Sequence, residues 1–165
     1  MEVLLQQIIN GLVLGSMYAL VALGYTMVYG IIGLINFAHG DVLMVGALTS
    51  WTIIGIMRDA SPGMPGWMIL IMATAIAMVV CAALNFTIEK LAYRPLRSAA
   101  RLAPLITAIG MSLLLQTFAM IIWKPNPKSY PNLLSTEPVA IGGAVISVTQ
   151  ITILATTVIT LAFLM

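Results

Sequence analysis

Residues 33–48 read GLINFAHGDVLMVGAL, and six consecutive positions hold an amide (Asn36), the single histidine of the chain (His39) and a carboxylate (Asp41). The flanks, Val3–Gly40 and Val42–Met57, are otherwise without ionised side chains. A helical membrane span takes about 20 predominantly apolar residues. Further uncharged runs, Ala60–Ile88, Leu102–Trp123 and Pro138–Met165, follow at similar length. The polar cluster is therefore an interruption in a chain built for lipid.

Composition agrees. Of 165 residues, 61% are hydrophobic and 7% charged, with a mean hydropathy of +1.09, against roughly a quarter charged in soluble domains. Long unbroken runs exclude a transmembrane barrel, whose strands alternate over about ten residues. The fold class is all-α, a polytopic transmembrane helical bundle in one transmembrane domain over 1–165. Spans are expected at about 7–29, 31–57, 67–89 and 103–123, with a fifth at 148–165 cut short at the C-terminus. The start has no basic n-region and does not read as a cleavable signal peptide. Cys81, the one cysteine, lies in an apolar run and is expected to pack as a small hydrophobe.

Four of the seven basic residues, Lys90, Arg94, Arg97 and Arg101, fall in one short connection. The positive-inside rule makes that loop cytoplasmic and the other loops external. Trp51, Trp67 and Trp123 then fall near outer span ends, with Tyr93 at the inner boundary. A net charge of +2 gives no reason to expect nucleic acid as a partner.

A helix over 31–57 would run to about 40 Å, with Asp41 about 15 Å in. A carboxylate at that depth costs on the order of 2.5–3.5 kcal/mol. Asn36, His39 and Gly40 share one helical face, but Asp41 lies roughly 200° round from His39. Either the segment is central in a bundle or the helix unwinds around His39-Gly40. Two roles stay open: Asn36 and Asp41 cap a helix start, or Asn36, His39, Gly40 and Asp41 border a solute path.

The string GLINFAHGDVLMVGAL, with NGLVLGSMYAL at 10–20 and GYTMVYG at 24–30, resembles the inner-membrane permease of branched-chain amino-acid ATP-binding-cassette importers. EKLAYRPLR at 89–97 and RLAPLITAIGMS at 101–112 resemble that family too. The resemblance implies transport without enzymatic chemistry in this chain. It implies a second permease subunit, two cytoplasmic ATPase subunits that bind the ATP, a periplasmic substrate-binding protein, and a bacterial inner-membrane location. Urea-importer permeases carry similar strings. Family members are nearly twice as long, and the part resembled here is their N-terminal half.

The sequence has no Gly-rich phosphate loop ending in Gly-Lys-Ser/Thr, so an ATP-driven step needs other subunits. A lone histidine without a second His or a Cys group argues against a metal site. Ser16, Ser112 and Asp41 have no partner at hydrolase spacing. Rival readings are a proton- or ion-coupled carrier using Asp41 and His39 as a relay, and an inactive fragment. Gly11-x-x-x-Gly15 forms a small-residue stripe suited to close helix approach. Thr149, Thr152, Thr156 and Thr160 share a face and are expected to bond carbonyls four residues back. Four prolines between Lys124 and Ser147 predict an ordered loop that is no long helix.

Overall fold

The computed structural model describes residues 2–33, 36–96, 99, 102–133, 138–141 and 144–164. Among them are five α-helices: α1 Glu2–Ile32, α2 His39–Ala60, α3 Gly66–Ile88, α4 Leu102–Trp123 and α5 Val148–Leu164. A π turn, Glu89–Tyr93, and a 3-10 turn, Arg94–Leu96, extend α3. The only described strands, β1 Pro138–Ile141 and β2 Ala144–Ser147, form an antiparallel hairpin pairing Pro138 with Ser147 and Ile141 with Ala144. Among the described residues, four helical stretches are long and apolar enough to cross a membrane: Val3–Gly30, His39–Ala60, Gly66–Leu96 and Leu102–Trp123.

The chain divides into two compact units, Ile32–Leu133 and Met1–Ile31 with Leu134–Met165. In the first, α2 runs antiparallel to α3. Near the start of α2, Ala38 and Val42 pack with Ile88, Tyr93, Ala108 and Leu115; near its end, Ile54 packs with Ile69 and Ala73. The α4 helix follows α2 in the same direction, joined by bonds from Gln116 to Asp41 and from Trp123 to Thr52. At Gly46 the two antiparallel helices approach so closely that a Cβ would stand 2.7 Å from the Cys81 sulfur. Cys81 thus packs as a small side chain, its thiol 3.6 Å from the Val42 carbonyl.

The segment after α4 folds back on this unit. Lys124, with φ 60°, is the left-handed residue that closes the helix. Beyond it the chain bends at Pro125 and Asn126 and runs on without regular structure through Pro127 and Pro131, residues that cannot continue a helix. The Trp51 indole donates to the Ser129 carbonyl at 2.9 Å, and Tyr130 and Ser50 share a hydroxyl bond of 2.7 Å. Lys128 sits 4.7 Å over the Trp51 ring. A Cβ at Gly66 would collide with the Leu133 carbonyl, so glycine is required where this strap meets α3. Trp67 and Trp123 fall at helix ends, whereas Trp51 lies nine residues inside the end of α2, about 13 Å.

In the second unit, Ser147 and Gln150 form a capping box at the start of α5: Gln150 N–H donates to the Ser147 hydroxyl and Ser147 N–H to the Gln150 side chain. The Gln6 amide of α1 both donates to and accepts from the Val145 backbone, at 3.1 and 2.9 Å. Thr152, Thr156 and Thr160 each donate to the carbonyl four residues back. At Gly11 and Gly15 an added Cβ would meet nothing within 4 Å, so within this unit that stripe is not packed against α5.

Candidate functional site at the start of the second helix

The segment read from sequence as one helix over 31–57 is two pieces. The α1 helix continues to Ile32, Gly33 takes a left-handed φ of 70°, and α2 begins at His39. Glycine adopts that conformation without steric cost and commonly ends a helix there. The interruption therefore precedes His39-Gly40, which form the first turn of α2. Leu34 and Ile35 lie outside the described residues.

Asn36 organises the re-entry into helix. Its side-chain oxygen accepts the Ala38 N–H at 3.0 Å, an Asx turn, while its carbonyl accepts the His39 N–H at 3.1 Å. The first helical bond follows, Val42 N–H to the Ala38 carbonyl, and Ala38 is the N-cap without a side-chain cap of its own. The second donor to Asn36 Oδ1 is the Tyr93 hydroxyl at 2.8 Å. Two donors on one carbonyl oxygen occupy both its lone pairs.

Asp41 is held separately. It sits in the first turn of α2, where the helix dipole favours an anion. Its Oδ1 accepts the Gln116 side-chain N–H at 3.0 Å, and the same Gln116 nitrogen donates to Ser112 at 3.2 Å. Asn36 is 8% exposed and Asp41 9%. Both polar groups are therefore turned into the packing and satisfied by protein, as burial requires. Phe37, Gly40 and Leu43, three residues apart, face out of that packing, with His39 half-buried between the two faces.

The depth of this site follows from α4. That helix has 22 residues, about 33 Å. Gln116 lies fourteen residues from Leu102 and seven from Trp123, about 21 and 10 Å along the axis. The first turn of α2 thus opens well inside the thickness that α4 spans. An adjoining groove of about 550 Å³, lined by Leu84, Thr87, Ile88, Leu115, Phe118 and Trp123 among others, is almost wholly apolar. The Thr87 hydroxyl is bonded to Ala83 and the Trp123 N–H to Thr52, so these groups are already engaged within the protein.

Of the basic loop, Lys90 and Arg94 are exposed, and Lys90 lies 5.8 Å over the Phe86 ring. Arg97 and Arg101 lie outside the described residues. Sequence reasoning treated Tyr93 only as a boundary aromatic and passed over Gln116. An amide in an otherwise apolar helix, four residues from Ser112, was the available signal, because intramembrane polar groups seek partners.

Residues 7–165 match the family model described as branched-chain amino acid transport system / permease component. The high-affinity branched-chain amino acid transport system permease protein BraD of Pseudomonas aeruginosa is 45% identical over 161 residues, covering 93% of this chain and 51% of that protein. LivH proteins of the same description are similar: that of Escherichia coli K12 is 44% identical over 133 residues, and that of Salmonella typhimurium 43% over 137, each match covering 81% of this chain and 43% of the relative. The chain spans about half the length of the curated relatives it matches. No solved structure matches it. Helices of spanning length and permease relatives together make it a multi-pass membrane protein. The chain belongs to the family of branched-chain amino acid transport system permease components.

Proposed function

We propose that the chain is a permease subunit of an ATP-binding-cassette importer for branched-chain amino acids in the bacterial inner membrane. Its partners are a second permease subunit, two cytoplasmic ATPases that bind the ATP, and a periplasmic binding protein. The observation that carries this reading is the interrupted helix, which opens α2 inside the spanned thickness with Asn36 and Asp41 already satisfied. Broken helices at such depth are tolerated where backbone is enclosed by protein or lines a solute cavity. Asn36 and Asp41 hold the break, and the outward Gly40, with half-buried His39 at its edge, borders the path. A zwitterionic amino acid passing there needs weak, transient hydrogen bonds, since tight capture belongs to the binding protein. The choice of solute rests on the names of the relatives.

The test is reconstitution of the complete transporter in proteoliposomes. Leucine uptake is expected to require ATP and binding protein, to survive an uncoupler, and to exceed urea uptake. Uptake that persists without ATP and collapses with the uncoupler would contradict the reading and favour an ion-coupled carrier.

A further inference from the structure

The π turn after α3 has a consequence for Tyr93. Ile88 and Tyr93 are both buried in one cluster, at 2% and 5% exposure. Five residues apart on an α-helix, they would point about 140° away from each other. The i→i+5 turn over Glu89–Tyr93, in which the Arg94 N–H reaches the Glu89 carbonyl, brings them onto one side. Pro95 follows in the 3-10 turn and cannot continue the helix. The wide turn thus aims the phenol at the start of α2. The ring lies in one buried cluster with Ala38, Val42, Ala108 and Leu115, and the hydroxyl ends on Asn36 Oδ1 at 2.8 Å.

The same short segment carries the exposed cations Lys90 and Arg94, which the positive-inside rule assigns to the cytoplasmic side. One side chain therefore joins the cytoplasmic end of α3 to the turn that opens α2. We propose that Tyr93 is a positioning residue for transport: through its hydroxyl it transmits displacement of the Lys90–Arg94 segment to the Asn36 turn, and so links ATP-driven motion to the opening of the path. This rests on the importer reading above. If the segment moves, Asn36 Oδ1 loses one of its two donors, and the ring leaves the cluster it shares with Ala38 and Val42. The geometry of the interruption must then change with it.

The experiment compares wild type, Tyr93→Phe and Tyr130→Phe in the complete reconstituted transporter, normalised to assembled complex. Phenylalanine keeps the buried ring and removes only the hydroxyl. Tyr130→Phe removes a different hydroxyl bond, the one to Ser50, and controls for loss of a hydrogen bond elsewhere. The readout is leucine transported per ATP hydrolysed, which a merely structural role would not move. Tyr93→Phe is expected to lower that ratio about threefold to tenfold, the range of one modest hydrogen bond, with ATP hydrolysis maintained. Tyr130→Phe should leave it unchanged. A ratio unaltered by Tyr93→Phe, or lowered equally by both variants, overturns the proposal. Failure of wild type to show ATP-driven uptake would instead count against the importer reading.

Discussion

Gly46→Val is expected to lower the amount of folded protein in the membrane. Even one Cβ at this position comes to 2.7 Å from the Cys81 sulfur, well inside contact distance, and valine adds two stiff γ-carbons. Both helices are fixed at either side of the contact, by Val42 with Ile88 and by Ile54 with Ile69 and Ala73. Neither can slide away without opening a core. Overpacking of this kind costs about 1–3 kcal/mol for a small insertion and more for a larger one, against a total stability of about 5–15 kcal/mol. Gly46→Ala should lower the melting temperature without abolishing folding. Among the described residues, and apart from its chain neighbours and its own helix backbone, only the Cys81 sulfur lies within 4 Å of the added Cβ. Adding Cys81→Ala should therefore restore most of the loss. If the double variant is no more stable than Gly46→Ala alone, the close contact is not the cause.

Asp41 has the second large effect, and it separates packing from charge. Asp41→Leu removes the acceptor of the Gln116 amide within a nearly closed contact. Loss of a buried partner costs about 1–3 kcal/mol. At 1.4 kcal/mol per tenfold, this lowers uptake by the complete transporter on the order of tenfold to a hundredfold. Asp41→Asn keeps the shape and an oxygen for Gln116, so its uptake should stay within about threefold of wild type, a loss of under 1 kcal/mol. Near-complete loss with Asn, in normally assembled transporter, would mean that the charge itself is needed and would support the ion-coupled alternative.

The spans were legible because composition and run length alone dictate helices in lipid, where backbone groups must be satisfied within the segment. The site was legible as an interruption, because Asn36, His39 and Asp41 have no reason to stand together in such a run. Its position was not. Gly33 and Gly40 are equivalent as letters, and only the backbone distinguishes the left-handed glycine from the helical one. The capping role expected of Asn36 and Asp41 divides similarly: Asn36 bonds the Ala38 N–H two residues on, whereas Asp41 reaches across to α4. The π turn left no mark in the apolar pattern, because a single five-residue step is short against the 3.6-residue period around it. Its product, the Tyr93–Asn36 bond, links residues 57 positions apart and was hidden for that reason.

The most direct test of the account is solvent and solute access at the α2 start. In a Cys81→Ala background, cysteine at Gly40, which faces out of the α2–α3–α4 packing, is to be labelled in the complete transporter with a small charged thiol reagent, with and without saturating leucine and binding protein. Cysteine at Val42, buried at 4% exposure among Ile88, Tyr93 and Leu115, serves as the comparison. The Gly40 position is expected to react, transported leucine to slow its reaction, and the Val42 position to stay unreactive. A Gly40 cysteine that never reacts, or whose reaction is indifferent to leucine during turnover, would contradict the claim that the interrupted helix borders the solute path.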